Sequence, residues 1–185
     1  MSMERSFERF PELETKNLLL KEITQNNEME IFNIFSDADV MKYYDINPLE
    51  KAAEASNLII FLSKRYENKN GIRWGIYTKR ENRLIGTCGF HNISKQASRV
   101  ELGYELCKEY WNQGIMKEAL DAIILYGFKD MKFNRIQALV EPENKASINL
   151  LLKLKFSEEG TMKEYEFYKG KYVDLSMFSL LRKDY

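Results

Sequence analysis

The stretch that most limits what this chain can fold into is residues 99–120, RVELGYELCKEYWNQGIMKEAL. Its first eight residues read as a strand. A loop with a single glycine follows. From residue 115 the apolar side chains keep a helical beat, with Leu120, Ile123, Ile124, Gly127, Phe128 and Met131 at i, i+3, i+4, i+7, i+8 and i+11. A helix start usually carries Ser, Thr, Asp or Asn as its cap. Here Gln113-Gly114-Ile115-Met116 stands there, and Asn112 is the only nearby capper. Gly114 lets a ligand come close to the backbone. The amides of residues 112–117 would then be free donors at the positive end of a helix dipole, a place suited to an anion and often to a phosphate. Spacing alone equally fits an ordinary strand-to-helix turn in which the glycine relieves crowding.

Around this unit the chain reads as one continuous domain. Its three prolines are scattered, and it has no Gly/Ser-rich linker, repeat or low-complexity tract. Periodicity predicts strands at 15–23, 72–78, 83–91, 99–106, 135–141, 161–168 and 172–181. It predicts helices at 26–35, 49–66, 115–132 and 144–154, with 37–48 as loop or short helix. In the first helix Met29, Phe32 and Phe35, with Ile31, are expected inward. In the second the stripe is Leu58, Phe61, Leu62 and Arg65, and in the last Ile148, Leu151 and Leu152. The order β-α-α-β-β-β-α-β-α-β-β describes a mixed α/β (α+β) sheet: an antiparallel meander, a β-α-β crossover and a terminal hairpin. It lacks the strict alternation of a doubly wound fold. No GxGxxG or GxxxxGK[ST] occurs, so dinucleotide and nucleoside-triphosphate sites lose their main support.

Composition narrows the function. At 185 residues the chain can bury about 70% of its unfolded surface. Twenty-eight basic residues balance 28 acidic ones, which speaks against a charge-driven nucleic-acid binder. Two cysteines and one histidine, far apart in sequence, suit neither a disulfide framework, nor a metal site, nor a Cys-His nucleophile pair. No apolar run approaches the ~18 residues of a membrane span and the first eleven residues hold no apolar leader, so the expectation is a cytoplasmic protein with no membrane partner.

Two blocks of residues carry a family resemblance. The first is Glu101-Leu102-Gly103-Tyr104, Tyr110-Trp111-Asn112-Gln113-Gly114 and Glu118-Ala119-Leu120. The second is Arg135-Ile136-Gln137-Ala138, then Glu141-Pro142-Glu143-Asn144 and Ser147. Together, at this separation, they resemble the GNAT N-acetyltransferase superfamily, and within it the Rim-type branch of ribosomal-protein N-terminal acetyltransferases. The likeness runs from about residue 13 to the end, leaving 1–12 as an extension ahead of a domain over 13–185. It implies a mixed, mostly antiparallel sheet flanked by helices, and acetyl transfer from acetyl-CoA to a primary amine by direct attack. There are departures. Met116 takes the last loop position, where a small residue is common, and Lys155-Phe156 replaces Gly-Phe. Leu151 stands where many members carry a tyrosine that serves as acid for the leaving thiolate.

The resemblance also implies roles. The loop and helix start, Asn112, Gln113, Gly114, Ile115, Met116 and Lys117, would hold the cofactor's diphosphate. Asn144 would bond the pantetheine arm, and a strand amide near Leu106 would face the acetyl oxygen. Glu101 is the first candidate for base, with Glu105 on the same face, and Ser147 is the candidate for protonating or hydrogen-bonding the thiolate. An α-amine is about a tenth neutral at pH 7 and a lysine amine only a few parts in ten thousand, so a base matters less for an N-terminal acceptor. His91 reads as a surface histidine, Lys108 as a solvated lysine, and Cys107 as inert. Trp74, Tyr43, Tyr44 and Phe90 are aromatics that either pack or line an acceptor cleft. The expected acceptor is a peptide N-terminus or small amine, with no metal and no nucleic acid, in a monomer or homodimer. A catalytically silent CoA-binding module on the same fold is the rival reading.

Overall fold

The computed structural model describes residues 6–185. The strands are β1 (Leu13–Glu14), β2 (Leu18–Glu22), β3 (Gly71–Thr78), β4 (Leu84–Ser94), β5 (Arg99–Leu106), β6 (Arg135–Val140), β7 (Ser157–Tyr168) and β8 (Lys171–Leu181). The helices are α1 (Glu28–Phe35), α2 (Ala52–Glu67), α3 (Ile115–Lys129) and α4 (Lys145–Lys153). One sheet holds the strands in the order β1-β2-β3-β4-β5-β6-β8-β7. Every neighbouring pair is antiparallel except β5 and β6, the two strands joined through α3. The mixed α/β sheet and its crossover match the sequence reading.

Alternation along the strands divides the core in two. On one face Trp74, Phe90, Val100, Leu102, Leu106, Ile136 and Phe178 pack with α3 and with Leu151, Leu154 and Phe156. On the other, Ile23, Tyr77 and Leu84 pack with α1, α2 and Met41. The expected α3 stripe is buried throughout, and Met131 is buried in the turn beyond the helix end.

The other three helices depart in part from expectation. In α1 the buried residues are Ile31, Ile34 and Phe35, and Met29 is exposed. In α2 they are Ala55 and Ile59, with Phe61 outside. In α4 Leu151 is buried and Leu152 faces out. The expected stripes are wider than the faces the fold covers, so Ile31, Phe35 and Leu151 are buried as expected while Met29, Phe61 and Leu152 are left outside. Residues 6–11 are packed against the body: the Trp74 indole donates to Pro11 O (2.7 Å), and Phe10 lies against both Tyr66 and Trp74. The rest of the predicted extension, residues 1–5, lies outside the described residues.

Candidate active site

The parallel pair β5–β6 is ladder-bonded only from Arg99–Glu101 to Arg135–Gln137. Beyond Glu101 the two strands diverge, and the sheet forks. The backbone register says which groups line the gap. Cys107 N–H donates to Ile85 O at 2.8 Å, so odd-numbered residues of β5 turn their amides and carbonyls toward β4. The even-numbered Tyr104 and Leu106 therefore turn theirs into the fork. The Leu106 carbonyl accepts the Trp111 indole N–H (2.8 Å), which ties the following loop to the end of β5. The Tyr104 and Leu106 amides are left facing the gap.

The loop delivers the chain to α3 through left-handed backbone at Asn112 (φ 60°) and Gly114 (φ 78°). Gly114 is the residue before the helix, and no side chain caps it. Among the described residues no protein acceptor takes the amides of 112–117. A Cβ built on Gly114 meets nothing within 4 Å, so the space above these donors is open. Asn112 does not cap the helix, and the Gln113 side chain is held back, its Nε2 donating to Glu109 O (2.8 Å). Met116 turns its side chain into the core instead of narrowing the approach. The Lys117 ammonium is engaged by Asp121 (2.7 Å), so Lys117 brings its backbone amide to the tip and not a free charge.

Both faces of the fork are bridged. On the α3/α4 face the Tyr104 hydroxyl and Ser147 Oγ are 2.7 Å apart, joining the β5 arm to the helix that follows β6. Asn144 Oδ1 accepts the Ser147 amide (3.1 Å) as the cap of α4. Burial pushes the Tyr104 phenol up to about 12. On the opposite face the α1–α2 loop crosses as a strap. Asp39 pairs with Lys108, the Tyr43 hydroxyl donates to Glu143 O (3.3 Å), and Met41 O accepts the Lys169 ammonium (2.6 Å). Thus segments around 40, 108, 143 and 169 meet at the mouth of the fork. Tyr43 and Tyr44 belong to this strap. Trp74 and Phe90 are core and line no cleft.

The two carboxylates of β5 share the strap face but differ in surroundings. Glu101 stands at the apex, accepting from Gln137 Nε2 (3.1 Å) and Asn92 Nδ2 (2.7 Å). His91 Nε2 lies 3.5 Å from it. His91 is no ordinary surface histidine: burial, then the Arg73 and Arg65 charges, push it down to about 4, so it is neutral near pH 7. Glu105 is buried against Arg73 and accepts from Thr87 Oγ1 (2.6 Å), with its Oε1 unpartnered among the described residues. Burial, then the Glu105 charge, holds the Tyr44 phenol far above its usual range. Cys107 is raised to about 11, mainly by burial, and Cys88 to about 12, so neither is a thiolate at neutral pH.

Sequence reasoning missed Tyr104, whose hydroxyl partner lies 43 residues away, and the depth of the Arg73–Glu105 pair. The Tyr104 signal was present as parity, two residues before Leu106 on the same strand edge.

A forked sheet ending at a helix tip with unused donors is built for a long thread with an anionic end. Such an arrangement fits a transferase that takes its acyl group from an extended carrier. The model of the acetyltransferase (GNAT) domain matches residues 17–157, and the chain belongs to this family of N-acetyltransferases, enzymes that move acetyl groups to amines. Family members use acetyl-CoA, and the free amides and open space at Gly114 fit that carrier's diphosphate. The uncharacterized N-acetyltransferase YoaA of Bacillus subtilis (strain 168) is 37% identical over 94% of this chain and 98% of its own length. The ribosomal protein uS5 alanine N-acetyltransferase of Escherichia coli (strain K12) is 29% identical over 67% of this chain and 64% of its own. Spermidine N-acetyltransferase from Vibrio cholerae, solved with CoA and spermine, superposes with a TM-score of 0.80 at 21% identity, covering 92% and 98% of the two chains. No helix of the described residues is long and apolar enough to cross a membrane, and no cluster of three potential metal ligands occurs among them.

Proposed function

We propose that the protein transfers the acetyl group of acetyl-CoA to the α-amine of a peptide or to a small amine, with the cofactor lying along the fork. The observation that carries this is the set of unused amides at residues 112–117 beside open space at Gly114, in line with the fork between β5 and β6. The amides of Asn112, Gln113, Gly114, Ile115, Met116 and Lys117 hold the diphosphate, where donor geometry and helix dipole act together. The Tyr104 and Leu106 amides face the acyl oxygen and the pantetheine arm, and Asn144 lies where the arm enters. A donor fixed in advance at an oxygen that gains charge lowers the barrier without reorganisation.

The acceptor reaches the fork beneath the strap. Glu101, oriented by Gln137 and Asn92, takes the amine proton directly or through water, a contribution on the order of 10²- to 10⁴-fold. Ser147, in contact with the Tyr104 hydroxyl, stands on the other face, on the side of the sulfur. An amine acceptor is supported by the names of one relative and one structural neighbour, an alanine N-acetyltransferase of ribosomal protein uS5 and a spermidine N-acetyltransferase.

The test is a thiol-release screen over N-terminal peptides, polyamines and lysine-bearing proteins, with calorimetry of CoA alongside. Turnover with one of these amine classes is expected. Absence of CoA binding at millimolar concentration refutes the reading. Leu151, wholly buried, supports a second reading, a CoA-binding module without turnover. It predicts cofactor affinity with no thiol release from any amine, unchanged by Glu101→Gln.

A further inference from the structure

Resting on the acetyl-CoA reading above, we propose that the Tyr104 hydroxyl is the hydrogen-bond donor to the departing sulfur, with the Ser147 hydroxyl donating to the phenol oxygen behind it. In the transfer the amine nitrogen bonds to the acyl carbon and the carbon–sulfur bond breaks. The electron pair of that bond goes to sulfur, and the amine proton to Glu101 or water. Sulfur carries the developing negative charge and needs a donor within a site that excludes most water.

Three observations assign that donor. The backbone of Tyr104 faces the gap, and its hydroxyl meets Ser147 at 2.7 Å across the two arms, so a thread along the fork passes beside this bridge. Either hydroxyl can be the donor in that contact. The order Ser147 O–H to Tyr104 O–H to sulfur uses each proton once, and each bond polarises the next. Leu151, on the same wall, is apolar and buried, Asn144 is turned to cap α4 through its Oδ1, and of the two bridged hydroxyls the phenol is the one carried by the strand that edges the fork.

Burial, and more weakly the Glu105 carboxylate on the opposite face of β5, hold the phenol up at about 12 while Ser147 opposes them. A thiol titrates near ~8.5. The phenol therefore keeps its proton and shares it, and the thiolate is protonated from solvent as CoA leaves. This is charge stabilisation at sulfur and not full proton transfer.

The experiment compares the full-length chain with Tyr104→Phe and Ser147→Ala. Calorimetry from pH 6.5 to 9.5 uses CoA and desulfo-CoA, which lacks the sulfur, and kcat is read by acetyl transfer to a working amine. In the parent protein, CoA binding is expected to strengthen relative to desulfo-CoA as pH rises, with the bound thiol about 10- to 100-fold more acidic than the free one. Tyr104→Phe removes this pH-linked gain and lowers kcat about 10- to 100-fold, while affinity for desulfo-CoA stays within about threefold. Ser147→Ala removes about three- to tenfold of the same gain. Equal weakening of CoA and desulfo-CoA at every pH makes the phenol a structural brace and overturns the proposal, as does an unchanged pH profile. If circular dichroism shows that the Phe variant does not fold, Ser147→Ala, which keeps the aromatic ring in place, decides the matter by the same profile: a loss of about three- to tenfold keeps the phenol as donor, and loss of the whole gain puts Ser147 at the sulfur and overturns the proposal. A parent protein that binds neither ligand refutes the acetyl-CoA reading itself and is told apart by the desulfo-CoA arm.

Discussion

Replacing Gly114 by alanine separates backbone strain from loss of the cofactor cradle. Gly114 sits at φ 78°, where an L side chain costs about 1–2 kcal/mol. The added methyl meets no protein atom within 4 Å, so no clash adds to that cost. For a chain of this size, 1–2 kcal/mol lowers Tm by about 2–8 °C. Gly170, in the β7–β8 turn, has nearly the same φ of 75° and equally open space around its Cβ. Gly170→Ala is thus a matched control for strain. CoA should respond to one variant and not the other. At Gly114 the methyl stands over donors to a charged group, and losing one or two such bonds weakens binding about 10- to 100-fold or more. Calorimetry with CoA and thermal denaturation of both variants make the comparison. Equal CoA affinity in the two alanine variants would refute the assignment of the diphosphate to this helix tip.

Other consequences follow from the buried charges. Arg73→Met leaves Glu105 alone with a side chain only 3% exposed, and stability should fall by about 3–5 kcal/mol; Arg73→Met/Glu105→Leu should recover most of it in chemical denaturation. His91 is the only histidine, so its imidazole resonance can be followed by NMR without assignment, with a midpoint expected near about 4. Because that lies below the unfolded value of ~6.5, the unfolded chain binds the extra proton first, and stability should fall as pH drops from about 6.5 toward 4. A midpoint above 6 would show that Glu101, 3.5 Å away, outweighs burial and the two arginines. Lys117→Met should change the CoA dissociation constant by less than about threefold, since the ammonium is already paired at an exposed i,i+4 site. A larger loss would mean that the side chain swings to the ligand.

What the sequence determined by itself was local and periodic. The helical beat of α3 is set by burial on one face, and β3 with the first seven residues of β4 is buried at nearly every position because both sheet faces are covered, so residue order carries them directly. The Gly114 loop was legible for the same reason, since a missing cap and a lone glycine are neighbours in the chain. Tertiary structure decided everything that depends on two distant segments meeting. Residues 102–106 read as a strand like any other, and only the divergence of β6 turns their even-numbered amides into a binding edge. Tyr104 and Ser147, Arg73 and Glu105, and Lys169 with Met41 are polar groups whose partners lie 32 to 128 residues off. Their environments, and so their charge states, come from burial beside those partners. The inward faces of α1, α2 and α4 were legible only in part: Ile31, Phe35 and Leu151 are buried as the spacing expects, whereas Met29, Phe61 and Leu152 lie outside, because a residue at the edge of a helix face is buried only where the rest of the fold reaches it.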